Sequence, residues 1–142
     1  MIEICFVCTG NTCRSVMAER IAKKMAKNNG LKDIKFSSVG IYASGENIAD
    51  NAQIALKRLG YDSRSRKSVK LGKAKPNVLY ITVTNDHKKF IQSKKILSFE
   101  DFATKVNDPY GQSIDVYMKT AKQLEENIKI LLNKILNLRG VL

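Results

Sequence analysis

Histidine is nearly absent from this chain: His87 is the only one in 142 residues. Cysteine is scarce too, with three residues, an odd number, crowded at positions 5, 8 and 13. Three cysteines at these spacings cannot staple a secreted disulfide framework, and with one histidine they fall short of a metal ligand set. Reactive or redox thiols fit better. No apolar run approaches the roughly 18 to 20 residues of a membrane span, and the N-terminus, MIEICFVC, is too short and too acidic for a secretion signal. These absences point to a soluble, cytoplasmic protein folded as one domain over residues 1–142, a length sufficient to bury a core.

Acidic residues are in short supply as well. Thirteen Asp and Glu face 25 Lys and Arg, a formal net charge of +12. Nucleic acid is the generic partner for such an excess. The basic residues, however, are scattered in pairs and short runs at 23–24, 64–67, 70–75, 88–89 and 94–95, with no interleaved aromatics and no groove-reading motif. A solvated basic surface is the plainer reading, and neither nucleic acid nor a membrane is expected as a partner. There is no internal repeat, low-complexity tract or linker.

What is present is a regular alternation of strand and helix signals. IEICFVC is a short run rich in isoleucine, valine and phenylalanine, suited to a buried parallel strand. SVMAERIAKKMAKNNG sets Met17, Ile21 and Met25 beside Ala18, Ala22 and Ala26 at helical spacing, with Glu19 early and Gly30 as a stop. IKFSSVGI reads as a second strand, and ENIADNAQIALKRLG as a helix with Ile48, Ala52, Ala55, Leu56 and Leu59 on one face and Gly60 closing it. NVLYITVT is the strongest strand signal, TNDHKKFI a short helix and KILSF a fourth strand. From Ser113 to Gly140 the apolar residues recur at three and four spacing; either a coiled-coil seam or a long terminal helix that covers the sheet fits, the second being the simpler. The fold class expected is three-layer α/β, with a four-stranded parallel sheet, helices on both faces and a long C-terminal helix.

In such sheets, ligands bind at the carboxyl ends of the strands, where loops open into helices. VCTGNTCRS, residues 7–15, occupies the first of these places. A helix N-terminus offers free N–H groups and a positive dipole end to an anion. Gly10 permits a tight curl of the loop, and Asn11 tolerates the left-handed conformation such a curl needs. Cys8, at the mouth of this cradle, faces the helix dipole and the Arg14 guanidinium, both of which favour a thiolate over a thiol. Arg14 has the planar fork that grips two oxygens of a tetrahedral dianion. Ser15 is placed to donate a hydrogen bond to the sulfur and improve it as a leaving group. Together these parts describe phosphoryl transfer through a cysteinyl-phosphate.

Competing readings are weaker. Cys5 and Cys8 match a redox CxxC spacing, but Cys5 lies inside a strand, so the two side chains point to opposite faces. A nucleotide P-loop needs a Gly-Lys-Ser/Thr ending, which is missing. His87 reads as a surface or capping residue. A purely structural loop would leave the conjunction of Cys8, Gly10, Asn11, Arg14 and Ser15 unexplained. Departure of the phosphorylated group also requires an acid and later a base. Asp108, stiffened by Pro109 in KVNDPYGQS, is the best candidate, with Tyr110 available to wall a pocket, although an ordinary Asp-Pro turn accounts for the same residues.

VCTGNTCRS followed by MAE, then SSVGIYAS, then DPYG ahead of a terminal helix, resembles the low-molecular-weight protein tyrosine phosphatases, in order and over essentially the whole chain. The resemblance implies that Cys8 is the nucleophile, Arg14 the phosphate-binding cation and Asp108 the general acid and then base. It implies that Asn11, Ser15 and Ser38 brace the loop, and that Thr9, Gly10, Asn11, Thr12, Cys13, Arg14, Ser15, Tyr42 and Tyr110 hold phosphate and substrate. By the same resemblance Cys13 is a partner thiol able to trap Cys8 in a reversible disulfide. The substrate would be a phosphorylated protein and the product inorganic phosphate, with no metal or other cofactor, in a monomer or weak dimer.

Several positions depart from the common pattern. Thr12 stands where tyrosine-specific members carry a bulky aliphatic residue, Gly111 where they carry a second aromatic, Arg66 where many carry a bracing histidine, and Val16 where proline is usual. Thr12, SSVGIYAS and DPYGQSIDVY resemble the protein-arginine phosphatase branch, whereas Tyr110 replaces that branch's usual phenylalanine. Two substrates therefore stay open: phosphotyrosine, the family's broad default, and phosphoarginine. The arsenate reductases of the same fold need further cysteines that this chain lacks beyond Cys13. A basic nucleic-acid-binding module would leave Cys8 and Arg14 as accidents.

Overall fold

The computed structural model of the protein describes residues 2–138. Four strands, β1 (Ile2–Cys8), β2 (Ile34–Gly40), β3 (Val78–Thr82) and β4 (Ile96–Ser98), form one sheet in the order β2-β1-β3-β4, every neighbouring pair parallel. Helix α1 (Arg14–Asn28) links β1 to β2, and α2 (Asp50–Arg58) lies between β2 and β3. A 3-10 helix (Asn85–Phe90) follows β3, a short α3 (Phe99–Phe102) follows β4, and α4 (Ile114–Leu138) closes the described chain. This is the expected α/β class.

Strand alternation divides the core in two. Ile4, Phe6 and Cys8 of β1, with Phe36 and Ile81, join the buried faces of α1, α2 and α4 in the larger cluster. Cys5 and Val7 turn the other way, toward Val78, Tyr80, Ile41 and Ile91. The two cysteines of the CxxC spacing therefore do lie on opposite faces. Phe6 stacks between Phe36 and Phe99, at centroid distances of 6.2 and 6.0 Å. Helical cover is unequal: the second face is closed by Leu71 and Ala74 of the loop before β3 and by Ile91 just past the 3-10 helix.

Helix limits follow the expected signals with small shifts. On α1, Met17, Ala18, Ile21, Ala22 and Ala26 are buried, and the chain turns off through Gly30 at φ 73°. Ile48 is buried but precedes α2, which starts only at Asp50; Gly60, at φ 84°, follows it. On α4, Tyr117, Ala121, Leu124, Ile128 and Leu131 are buried in the same cluster as α1 and α2, so the helix is a lid over its own domain's helices rather than a coiled-coil seam. Its expected stop, Gly140, lies outside the described residues.

This architecture gathers the site. The C-terminal ends of β1 and β2 lie side by side, Cys8 paired with Gly40. The loop of residues 9–13 rises from that edge into α1.

Candidate active site

The loop after Cys8 is held open by its own backbone. The Cys8 and Thr9 carbonyls accept from the N–H groups of Ile41 and Tyr42, at 3.0 and 2.8 Å, and the Thr12 carbonyl accepts from Ala49 N–H at 3.0 Å. In a planar trans peptide the N–H points opposite to the C=O, and no cis bond interrupts the described chain. The N–H groups of Thr9, Gly10 and Cys13 are thus turned away from those partners, on a loop whose inner side lines a cavity of about 530 Å³. The left-handed residue of the curl is Asn11, at φ 56°; Gly10, expected to provide the freedom, is not in that region.

Asn11 is 1% exposed, and its amide is fully used. Its Nδ2 donates to Ser15 Oγ at 2.8 Å and to Ser38 Oγ at 3.0 Å, while its Oδ1 accepts from Val69 N–H at 2.9 Å. Ser38 Oγ donates to Glu19 Oε1 at 2.6 Å, and Arg66 Nη2 reaches both Ser38 Oγ at 2.5 Å and Glu19 Oε1 at 3.2 Å. Arg66 therefore braces the loop through Ser38, the duty that a histidine has in many members of the family it resembles. In the sequence Glu19 stood out only as an early acidic residue of α1 and as part of the MAE string.

Two hydrogen bonds converge on the Cys8 sulfur. Asn11 N–H donates to Sγ at 3.3 Å, and Ser15 Oγ lies 2.9 Å away, with its oxygen already accepting from Asn11. The Ser15 hydroxyl also lies 3.3 Å from the Val39 carbonyl. Arg14, first residue of α1 and 6% exposed, donates from Nη1 to the Val106 carbonyl at 3.0 Å, and its Nη2 lies 3.6 Å from Asp108 Oδ2. Val106 O is thus the clamp that aims the fork. Asp108, half-exposed, caps the loop ahead of α4, its Oδ1 accepting from Tyr110 N–H at 3.1 Å.

Cys8, Thr9, Gly10, Thr12, Cys13, Arg14, Asp108 and Tyr110 all line the one cavity. Asn11 and Ser15 stand behind its wall. Tyr42 is off it: the ring is exposed and meets Phe90 edge-on at 5.7 Å. Burial pushes the Cys13 thiol up, and its sulfur lies 3.2 Å from Tyr117 Oη. Cys5, on the other face of the sheet, is pushed up to about 11, again chiefly by burial.

The opposite wall was not foreseen. Glu46, Asn47, Ile48, Ala49 and Asp50 form it, bringing two more carboxylates to the cavity. Hydrogen bonds within its own turn, from Glu46 and Ser44 N–H and then from Ser68, hold the Glu46 carboxyl down to about 2. His87, expected at the surface or as a cap, is instead 7% exposed and reaches Thr9. Among the described residues no cluster of His, Cys, Asp or Glu is placed to hold a metal ion.

The model of the low molecular weight phosphotyrosine protein phosphatases matches residues 3–139. The chain belongs to that family. Among curated relatives, the protein-arginine-phosphatase of Bacillus subtilis (strain 168) is 32% identical over 94% of this chain and 97% of its own. The low molecular weight protein-tyrosine-phosphatase PtpB of Staphylococcus haemolyticus (strain JCSC1435) is also 32% identical, over 87% and 92%. A solved low molecular weight protein tyrosine phosphatase from T. tengcongensis superposes with a TM-score of 0.84 at 33% identity, covering 94% of this chain and 99% of that one. Membership makes the chain a cysteine-dependent, metal-independent protein phosphatase. No helix of the described phosphatase is long and apolar enough to cross a membrane.

Proposed function

We propose that this phosphatase removes phosphate from phosphotyrosine in cytoplasmic proteins, through a cysteinyl-phosphate, as a monomer or weak dimer and without nucleic acid, membrane or metal as a partner. One observation carries the reading: Cys8, Arg14 and Asp108 face one cavity, with Asn11 N–H donating to the Cys8 sulfur and Ser15 Oγ 2.9 Å from it. The loop N–H groups and Arg14 bind the phosphoryl oxygens and hold phosphorus in line with Sγ. The sulfur lone pair forms the S–P bond as the P–O bond to the substrate breaks, and Asp108 gives its proton to the departing oxygen. Water then attacks phosphorus, Asp108 takes back a proton, the S–P bond breaks and inorganic phosphate leaves. Ser15 Oγ, 2.9 Å from the sulfur, stabilises it each time it carries the negative charge.

A second reading, phosphoarginine, has its own support. The Thr12 side chain lies on the cavity wall, and three carboxylates, Glu46, Asp50 and Asp108, share that cavity on a chain of net charge +12. A guanidinium attached to phosphate keeps its positive charge and suits such a wall; a tyrosine ring gains nothing from it. Initial rates on matched phosphotyrosine and phosphoarginine peptides, without added metal, decide between them for the native chain and Thr12→Ile. Faster phosphotyrosine cleavage, changed less than about threefold by the substitution, is the expected result. A phosphoarginine preference of tenfold or more that collapses in Thr12→Ile would transfer the protein to the second substrate, since a site built to hydrogen-bond its substrate can reject an analogue lacking that partner by as much as about 10⁴ to 10⁵.

A further inference from the structure

His87 is a buried titratable side chain that the mechanism above does not use. Both of its ring nitrogens are engaged: Nδ1 lies 3.1 Å from Thr84 Oγ1 and Nε2 lies 3.0 Å from Thr9 Oγ1. These partners belong to different parts of the molecule. Thr84 is buried just past β3, where Val83 N–H bonds to the Val7 carbonyl at 3.0 Å and ties the segment to the sheet. Thr9 is exposed and directly follows Cys8.

The 3-10 helix that carries His87 is itself anchored. Asn85 N–H donates to Glu100 at 2.7 Å, and Lys88 pairs with Asp101 at 2.7 Å, both acids belonging to α3. On the far side of the loop, Asn11 and its partners hold the middle of the curl from β2. The Thr9 end has two ties: the carbonyl bond to Tyr42 N–H and the side-chain bond to His87.

Taking the cysteinyl-phosphate reading of the site as its basis, we propose that His87 is a positioning residue for the phosphate loop, its imidazole bridging Thr84 to Thr9 and fixing the first peptide after the nucleophile. That peptide's orientation sets where the neighbouring N–H groups aim, and their aim matters most when charge builds up on the transferring phosphoryl oxygens. A neutral imidazole has one donor and one acceptor nitrogen, and each threonine hydroxyl can donate or accept, so the bridge is satisfied in either tautomer. An imidazolium would require both hydroxyls to accept.

The surroundings keep the ring neutral. Burial and then the Arg14 guanidinium bring His87 down from 6.5 to about 4, against the opposing pull of Asp86 and Asp108; these are the charges facing it from α1, the 3-10 helix and the loop before α4. The sign for stability follows. Between 6.5 and about 4 the unfolded chain binds a proton that the folded chain does not. His87's contribution is therefore complete above that window and is lost as pH falls through it. As the only histidine in the chain, it has the upper part of the window to itself.

The test measures kcat and KM on p-nitrophenyl phosphate for the native chain, His87→Phe, His87→Gln, Thr9→Val and the double variant His87→Phe with Thr9→Val. We expect kcat to fall about tenfold in His87→Phe and in Thr9→Val, with KM within about twofold, and the double variant to fall no further than either single one. His87→Gln, which keeps a polar atom near the Nε2 position, should recover most of the rate. Denaturant stability of His87→Phe should lose its dependence on pH between about 5 and 6.5. A native-like kcat in His87→Phe, additive losses in the double variant, or losses in His87→Gln equal to those in His87→Phe would each overturn the assignment. Should His87→Phe fail to fold, the exposed Thr9→Val decides alone, a native-like kcat counting against the bridge. An inactive native chain would instead sink the phosphatase reading itself.

Discussion

Cys8→Ser is expected to lose turnover by about 10⁴-fold or more while binding inorganic phosphate with an affinity within a few fold of the native chain. The two halves of this result rest on different atoms. Binding belongs to the loop N–H groups and to Arg14, whose aim is set by the Val106 carbonyl at 3.0 Å and does not involve residue 8. A hydroxyl fits the position, because the sulfur's neighbours, Asn11 N–H and Ser15 Oγ, are themselves polar. Chemistry belongs to the sulfur, since a neutral hydroxyl with no base beside it is a poor nucleophile. Initial rates on an aryl phosphate, with calorimetry of phosphate binding, check both halves. Residual turnover within a hundredfold of native would remove Cys8 from its role.

The second large effect is expected from a residue with no side chain. Gly40, at the end of β2, is locked between Cys8 of β1 and the segment at 69–71, through Val69 O at 2.8 Å and Leu71 N–H at 2.9 Å. A methyl group added there would lie 2.7 Å from Asn11 N, 2.7 Å from Gly10 C and 2.8 Å from Thr9 O. All three are backbone atoms of the phosphate loop, so no side chain can swing aside. Either the loop or the strand end must move by several tenths of an ångström. Gly40→Ala should therefore cost about 2 to 4 kcal/mol of stability, as overpacking at a rigid site does, and lower kcat/KM by about 10² or more through misplacement of the loop. Gly72→Ala is the matched control: nothing lies within 4 Å of its added methyl, and both quantities should stay close to native. Denaturant titration and steady-state kinetics of the two variants measure the contrast. A Gly40→Ala chain as stable and active as the Gly72→Ala one would show that the loop yields freely.

What the sequence made legible was local. Cys8, Asn11, Arg14 and Ser15 sit within eight consecutive residues, and a strand that feeds a helix through such a loop leaves few ways to arrange them. Asp108 was a candidate only together with the resemblance, because an Asp-Pro pair by itself reads equally well as an ordinary turn. The apolar spacing of α1 predicted its buried face nearly residue by residue, since packing on one side is what produces that spacing, whereas on α4 the same spacing ran on to Leu138, which is exposed.

What stayed hidden depends on pairs far apart in the chain. His87 and Thr9 are 78 residues apart, and a lone histidine on a short 3-10 helix has no periodicity to betray its burial. The link from Arg66 to Ser38 spans 28 residues, so an arginine read as a departure could not be seen to serve as the brace. Gly40 stood in view within SSVGIYAS, but a close approach of two backbones leaves no pattern in either strand. The wall from Glu46 to Asp50 was missed for a similar reason: it is the loop that enters α2, and its path is set by Ala49 N–H reaching Thr12 O at 3.0 Å. Tyr42, carried over by resemblance, packs on Phe90 instead of lining the cavity, because its backbone, not its ring, is what the loop holds.

The central claim is a covalent bond between phosphorus and the Cys8 sulfur, and trapping that species tests it most directly. Asp108→Ala removes the group that protonates the leaving atom and later activates water, while Arg14 and the loop keep their places. With an activated aryl phosphate, whose leaving group departs without an acid, the first step should proceed and the second should lag. Acid quench and peptide mapping by mass spectrometry should then find phosphate on the peptide carrying Cys8, lost when Cys8 is replaced by alanine in the same background. Burst release of the aryl alcohol with no phosphate on any residue, or with phosphate on a residue other than Cys8, would contradict it.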